Sequence, residues 1–494
     1  MSTTSNSLAS ALPYQSRSPM ATPTGGLSRR DLSGPARPVR AARTGAYRAR
    51  VQLSRALWTA VFLALVFVPL ALAPMAGGER RPWSKGGIWV ELCLTSGLLG
   101  LSTLAATLVL PSRVKSLTKA FGIEEVLNSH RWLGVVTTVV VVAHVLFIVI
   151  DRPLNVLLLS PMSTGANRAR AGLIATVAMV LLCVLSFRRR RMHTRYAVWR
   201  WAHTILAVAA LVGTYLHIFW LNHLMQNAAE RTVMWTILVA VSAVMINRWI
   251  LRPFASLRQA YVIKEVRSES PTVNTLVLTP ARRRQRPMAY RPGQFAWIRL
   301  DSPFGPLQGN PFSIASGEDS PRALEFTIRN AGDFTATIDS LTPGRRVYVD
   351  GPYGSFNVDT SSRGALLLIA GGVGMAPMIS ILRSHAARGD RRQHCLLMAA
   401  RTPGELLFRS ELRELAGCLD LTVVEVVSAP PPGWQGVSGR IDEDLLSDVL
   451  RGEDLDDPEV LICASGPMMR DLKRILQDLG VPGRRIQTEE FDLV

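Results

Sequence analysis

Apolar positions are distributed unevenly along this chain. The first half holds six long apolar runs, at roughly residues 57–74, 88–110, 132–150, 171–187, 201–221 and 233–251. A helix rises about 1.5 Å per residue and hydrocarbon is ~30 Å thick, so each run is long enough to span a bilayer. The pattern predicts a six-span α-helical membrane domain over residues 56–252. Residues 1–55 are rich in Ser, Pro, Ala and Arg without apolar periodicity, which predicts a disordered basic tail on the cytoplasmic side. The first apolar run begins only near Ala56 and further spans follow, which argues against a secretory signal.

After Pro253 the period changes. Stretches such as VIKEV and TLVLT alternate apolar and polar residues between turn signals, predicting an antiparallel β-barrel over residues 256–360. From Ala365 short apolar strands (ALLLIA, HCLLMAA, LTVVEVV, EVLICAS) alternate with helical stretches. That is the signature of a parallel-sheet α/β domain over residues 364–494, with a first helix running through Arg383.

Net charge is +19, mostly from arginine, and the reflex reading is nucleic-acid binding. The distribution argues otherwise, because the arginines sit in the tail and in loops flanking apolar runs. Arg113, Lys115, Lys119, Arg131, Arg188 to Arg191, Arg195 and Arg200 fall on one side of the six spans. Arg80, Arg81, Lys85, Arg152, Arg168, Arg170 and Arg231 fall on the other. The bias puts both termini inside, in a plasma-membrane protein with lipid as a partner and no nucleic acid. Arg29, Arg30, Arg37 and Arg40 could touch anionic lipid or simply be solvated. The five cysteines form no CxxC or clustered pattern, so no disulfide framework, zinc site or iron–sulfur centre is expected.

The third and fifth runs carry the candidate chemistry. His130 and His144 stand fourteen residues apart, and so do His203 and His217. Fourteen residues at ~100° make four turns less ~40°, so both rings of a pair leave one helix face, ~21 Å apart along the axis. A lone intramembrane histidine reads equally well as a hydrogen-bonded bundle residue. Two pairs with identical spacing, on spans running the same way, predict two stacked bis-histidine sites for haem b. His130 with His203 forms the inner site and His144 with His217 the outer. Arg131, Arg195 and Arg200 are placed to neutralise inner haem propionates, although topology determinants would look the same.

The turn Gly371-Gly372-Val-Gly374-Met-Ala-Pro377 follows a strand and opens a helix, where backbone N–H groups can approach a pyrophosphate. It is neither the Rossmann G-x-G-x-x-G spacing nor a Walker A loop, and alone it reads as an ordinary βα turn. Its neighbours add to it: Arg291-Pro-Gly-Gln294-Phe295, Asn310-Pro311-Phe312-Ser313-Ile314, Ile328-Arg329-Asn-Ala-Gly332-Asp-Phe334-Thr335 and Gly351-Pro-Tyr-Gly354. With these motifs the second half resembles the ferredoxin-NADP-reductase family of flavin oxidoreductases. Preceded by six spans and paired histidines, residues 57–494 resemble the ferric reductase/NADPH oxidase superfamily.

The resemblance implies FAD, NADPH or NADH, and two b-type haems as cofactors. It implies that Arg291, Gln294, Phe295, Asn310, Pro311, Phe312, Ser313 and Ile314 bind FAD, with the Ser313 hydroxyl near the flavin N5. Arg329 and the Gly332–Thr335 turn, which opens a helix, would meet the FAD pyrophosphate. The nicotinamide would be held by Gly371, Gly372, Gly374, Pro377, Ser465, Gly466 and Pro467, and Phe491 would cover the flavin. Arg401 could meet a 2′-phosphate or be a surface arginine. Ser465 stands where relatives usually carry cysteine, and Asn310 where they carry a basic residue or histidine. Ile148 occupies the position of a second outer histidine in oxidase members. The implied function is electron transfer from cytosolic NAD(P)H through FAD and two haems to an external acceptor. Ile148 tilts the acceptor towards ferric chelates. Dioxygen, a periplasmic or quinone partner, and a non-enzymatic haem protein stay open.

Overall fold

The computed structural model describes residues 39–71, 87–151, 153, 167–189, 196–221, 228–303, 309–318, 323–358, 364–453, 455 and 457–490. Phe491, Arg195 and the tail arginines Arg29, Arg30 and Arg37 lie outside the described residues.

Six helices are long and apolar enough to cross a membrane. They are α1 (Val39–Ala71), α2 (Gly87–Val109), α4 (Ile123–Asp151), α5 (Asn167–Arg188), α6 (Tyr196–Leu221) and α7 (Ala228–Ile246), with a short α3 (Lys115–Phe121) between α2 and α4. Val139, Ile205 and Phe219 are 62%, 62% and 59% exposed. Large apolar side chains turned outward at that level belong against lipid, and every span carries some exposed large apolar residues. The spans pair as α2 with α4 and α5 with α6. Glycine permits the close approach: a Cβ on Gly213 of α6 would lie 2.9 Å from the Ala171 carbonyl oxygen of α5.

The tail expected to be disordered through residue 55 is helical from Val39. The run VRAARTGAYRAR is rich in alanine and arginine, both good helix formers, so a stretch without apolar period still continues the first span backwards. At the other end α7 passes through a π turn (Asn247–Leu251) into α8 (Arg252–Leu257). Pro253 lacks an N–H and its ring crowds the preceding turn, which accounts for the local widening.

The next six strands are β1 (Ala260–Ser270), β2 (Val273–Pro280), β3 (Phe295–Leu300), β4 (Asn310–Ser313), β5 (Leu324–Arg329) and β6 (Arg346–Tyr353). They form one antiparallel sheet in the order β4-β3-β6-β1-β2-β5. An isolated bridge from Ile314 to Phe326 joins the two edges and curls the sheet into a barrel. Its core is built on Ile263, Leu276, Leu278, Ile298, Phe326 and Val349.

The last domain is a six-stranded parallel sheet in the order β10-β9-β8-β7-β11-β12. Its strands are β7 (Leu366–Gly371), β8 (His394–Ala400), β9 (Leu421–Val427), β10 (Val437–Ser438), β11 (Glu459–Ala464) and β12 (Ile486–Glu490). The helices are α9 (Met375–Ala387), α10 (Arg409–Ala416), α11 (Glu443–Gly452) and α12 (Gly466–Asp478). The sheet is buried on both faces, as continuous runs such as LLLIA require. Strand order reverses between β7 and β11, so the crevice beyond their carboxyl ends is the switch point where such sheets bind ligands.

Candidate functional site

The four span histidines come together in two pairs. His130 and His203 have ring centroids 6.3 Å apart, and His144 and His217 6.4 Å apart. Metal–imidazole bonds run about 2.0 Å, and a ring centroid lies about 1.2 Å behind its nitrogen. Two rings ligating one ion from opposite sides therefore stand about 6.4 Å apart.

Three of the rings are oriented by backbone carbonyls. His130 Nδ1 donates to Thr107 O at 2.9 Å, His144 Nδ1 to Cys93 O at 2.7 Å, and His217 Nδ1 to Arg168 O at 2.7 Å. A proton held on Nδ1 leaves the Nε2 lone pair available, the arrangement that supports a metal-ligating histidine. His203 differs: its Nδ1 has no hydrogen-bond partner among the described residues, and Trp199 lies 5.2 Å from it, centroid to centroid. Glycines make room for two rings. A Cβ on Gly97 would lie 3.0 Å from His144 Cε1, and one on Gly172 2.8 Å from His217 Nδ1. Among the described residues no three His, Cys, Asp or Glu side chains converge, so the pairs suit a macrocycle-held metal rather than a protein-only cage. The residues present fit haem.

In the barrel, Gln294 is buried and works as a staple. Its Oε1 accepts from Arg291 N at 2.9 Å and its Nε2 donates to Gly354 O at 3.1 Å. Gly293 is confined to glycine twice over, by φ +87° and by the Phe356 carbonyl oxygen 2.2 Å from any Cβ. β4 pairs with β3 so that Ser313 faces Phe295 and Phe312 faces Ala296. All four β4 residues are only half-buried, unlike the central strands, and the Phe312 ring stacks on Phe334 at 6.0 Å. Together they form a partly open edge of the barrel with two stacked aromatic rings beside it.

Arg329 ends β5 and is exposed, and nothing lies within 4 Å of a Cβ on Gly332. The turn was expected to open a helix; it opens one 3-10 turn, Thr335–Thr337. Hydroxyls compete for its carbonyls: Thr335 Oγ1 donates to Gly332 O at 3.0 Å and Thr337 Oγ1 to Phe334 O at 2.8 Å.

In the α/β domain, Gly371 ends β7 and Gly372 takes φ +53°. A Cβ on Gly374 would sit 2.0 Å from the Cys463 carbonyl oxygen of β11. The glycine turn and the Ser465-Gly466-Pro467 start of α12 thus line one crevice, and α9, with Pro377 buried in its first turn, runs past Arg383 to Ala387. Arg401 lies exposed just beyond β8, its N–H bonded to Glu405 Oε2 at 3.2 Å.

The barrel and the α/β domain are joined by Arg383. Its guanidinium donates to both Glu411 oxygens at 2.6 and 2.8 Å, to Glu325 at 2.9 Å and to Ala315 O at 2.9 Å. Within the barrel, Tyr290 bonds to Ser316 Oγ at 2.8 Å and Gly317 O at 2.7 Å beside this joint, and burial pushes its phenol up to about 12, so it stays a neutral donor. The glycine-turn signal found neither Arg383 nor Tyr290.

Comparison with known proteins divides the chain into three matches. Residues 96–214 match the family described as "Ferric reductase like transmembrane component", residues 267–357 "FAD-binding domain" and residues 368–474 "Oxidoreductase NAD-binding domain". The reductase component of propane 2-monooxygenase from Rhodococcus jostii is 30% identical over 41% of this chain and 55% of the relative. A probable dihydroorotate dehydrogenase B (NAD(+)) electron transfer subunit from Methanothermobacter thermautotrophicus is 32% identical over 45% of this chain and 74% of the relative. The chain spans less than two thirds of the first curated relatives it matches. The FAD/NAD-binding domain of nitric oxide dioxygenase from Vibrio cholerae is 23% identical, with a TM-score of 0.42 over 47% of this chain and 98% of that one.

Proposed function

The chain belongs to the ferric reductase/NADPH oxidase superfamily, and from that footing we propose a transmembrane NAD(P)H-dependent reductase, with FAD and two b-type haems, acting on ferric chelates across the membrane. At the coarser level it is a membrane oxidoreductase with FAD- and NAD-binding domains and a ferric reductase-like domain. The observation that carries the haem reading is the pair of ring separations, 6.3 and 6.4 Å, on helices whose histidines share one spacing. His130 and His203 would hold the inner haem, and His144 and His217 the outer.

Flavin, when bound, takes two electrons together and releases them singly, which suits a nicotinamide donor and a one-electron metal acceptor. The chain's own contributions follow from its residues. The Ser313 hydroxyl, on the half-buried β4 edge, serves as a hydrogen-bond partner for the reacting edge of the ring, and Phe312 with Phe334 covers an apolar face against water. Arg329 and the Gly332 turn supply positive charge and open backbone for a pyrophosphate. The crevice between Gly371–Gly374 and Ser465–Pro467 orients the nicotinamide, and Arg383 with Ser380, whose hydroxyl donates to Ser316 O at 2.6 Å, fixes that crevice relative to the barrel. Positive-inside bias supports both termini in the cytosol of a plasma-membrane protein.

The test is purification of the full chain, haem and flavin quantitation, and NADH and NADPH oxidation with ferric citrate or dioxygen as acceptor. Two low-spin haems per chain and faster turnover with ferric citrate are expected. Absence of low-spin haem overturns the histidine reading. Preference for dioxygen, or turnover only with an added membrane partner, overturns the acceptor.

A further inference from the structure

A second concentration of charge lies where the membrane domain meets the barrel. Four guanidinium groups and one carboxylate line a single small pocket: Arg113 after α2, Arg248 in the π turn, Arg252 opening α8, and Arg299 and Asp350 from the barrel. Arg113 and Arg299 are each only 5% exposed. Asp350 is shared thinly, 3.6 Å from Arg113 and 3.9 Å from Arg252, and it also accepts from the Tyr353 hydroxyl at 2.8 Å. The Arg113 guanidinium lies 3.3 Å over the Trp297 ring, and Arg299 Nη1 donates to Pro303 O at 3.1 Å. Even so, Arg248 Nη1, Arg252 Nε and Arg299 Nε are buried without a hydrogen-bond partner among the described residues.

Buried guanidinium groups are stable only when paired, and one carboxylate cannot pair four of them. Their planar forks match carboxylate or phosphate oxygens. We propose that Arg113, Arg248, Arg252 and Arg299 form an anion site shared between the membrane domain and the flavin barrel, so that one bound carboxylate or phosphate group holds the two domains together. Two sources carry that chemistry. Arg200, three residues before His203, donates to Gly309 O at 3.3 Å, and a Cβ on Gly309 would lie 3.2 Å from Arg299 Nε, so a propionate of the haem assigned to His130 and His203 is one; this arm rests on the haem reading. The phosphate of an anionic lipid at the membrane surface is the other, and it does not.

The experiment uses the full chain, wild type and Arg299→Gln, in nanodiscs of phosphatidylcholine alone or with phosphatidylglycerol, with chloride or inorganic phosphate at matched ionic strength. Two quantities are read: hydrogen exchange in α3, which docks on β6 through Lys115 Nζ and Gly351 O at 2.9 Å, and the midpoint potential of each haem. Exchange in α3 should rise about tenfold or more in Arg299→Gln, the scale of a lost charge-assisted bond. A propionate source also lowers one haem potential and not the other, because removing a cation favours the ferric state. A lipid source leaves both potentials fixed, and phosphatidylglycerol or phosphate protects α3 in the wild type but not in the variant. If α3 exchanges alike in both proteins, in every lipid and salt, no shared anion site exists. If the chain carries no haem, the propionate arm falls and the phosphate arm still decides.

Discussion

Gly374 offers a calculable perturbation. Its φ is −57°, an ordinary helical value, so no conformational demand keeps glycine there. The demand is steric: a Cβ would lie 2.0 Å from the Cys463 carbonyl oxygen and 2.7 Å from its carbon. Carbon–oxygen contacts settle at about 3.3 Å, so Gly374→Ala must part the two segments by about 1.3 Å. Both are backbone, one leading into α9 and the other in β11, so no rotamer change relieves the clash. Overpacking costs about 1–3 kcal/mol where side chains can give, and the upper end applies here. The same movement widens the nicotinamide crevice, and the Michaelis constant for the nicotinamide should rise about tenfold or more, since 1.4 kcal/mol is a factor of ten. Two controls separate causes. Gly372→Ala meets nothing within 4 Å but forces φ +53° on alanine, a cost of about 1–2 kcal/mol. Gly404→Ala meets nothing and needs no positive φ, so it should be near neutral. Thermal unfolding of the full chain with NADH and NADPH kinetics reads all three, with haem and flavin content as checks. If Gly374→Ala matches Gly404→Ala in both, the two turns do not form one crevice wall.

His144→Ala should remove one haem and leave flavin content intact; retention of both haems would show that His144 and His217 are not paired ligands. Arg383→Ala removes the Arg383 partner of Glu411 and leaves Glu325 to Arg267 alone, and should destabilise the joined soluble domains by about 2–3 kcal/mol by denaturant unfolding, with Arg383→Lys recovering only part. The buried pair His385 and His394, bonded at 2.8 Å, titrates in the opposite sense to a salt-bridged histidine. Burial, then Arg392, pushes His385 down to about 4 from 6.5, so the folded pair stays neutral while the unfolded chain binds protons. Stability should therefore be flat above about pH 7 and fall from about 6.5 towards 4; unfolding midpoints at pH 7.5 and 5 check this, and His385→Gln should flatten the slope.

What could be read in the chain follows from which physical quantities a sequence encodes. Span lengths were legible because hydrocarbon thickness sets a minimum apolar run, and the histidine pairing because a helix fixes the angle and rise of fourteen residues. Val39–Gln52 escaped because a helix continuing out of a span needs propensity alone, with no apolar period. The partners that orient His130, His144 and His217 are backbone carbonyls of Thr107, Cys93 and Arg168. Every residue has a carbonyl, so no residue type marks these three. Gly97 and Gly172 are marked only by the rings they admit, which lie dozens of positions away. Arg113 and Asp350 meet across more than two hundred residues of chain, and each alone reads as a topology determinant or a strand charge.

The barrel is held at two joints of opposite electrostatic character, and that contrast bears on how electrons are delivered. Towards the α/β domain, one guanidinium is bound by two carboxylates and a carbonyl at 2.6–2.9 Å. Every group at that joint is satisfied from within the chain, so it needs no ligand and should be stiff. A stiff joint suits hydride transfer, which depends on sub-ångström approach of donor and acceptor carbons. Towards the membrane domain, four guanidinium groups line one pocket with a single carboxylate, which stands 3.6 Å from Arg113 and 3.9 Å from Arg252. That joint is under like-charge repulsion until something anionic enters it. Single-electron transfer tolerates a looser fit than hydride transfer does, so the chain can leave this contact dependent on a bound group. The two steps of the proposed route thus differ in the precision they require, and the charges at the two joints match that difference.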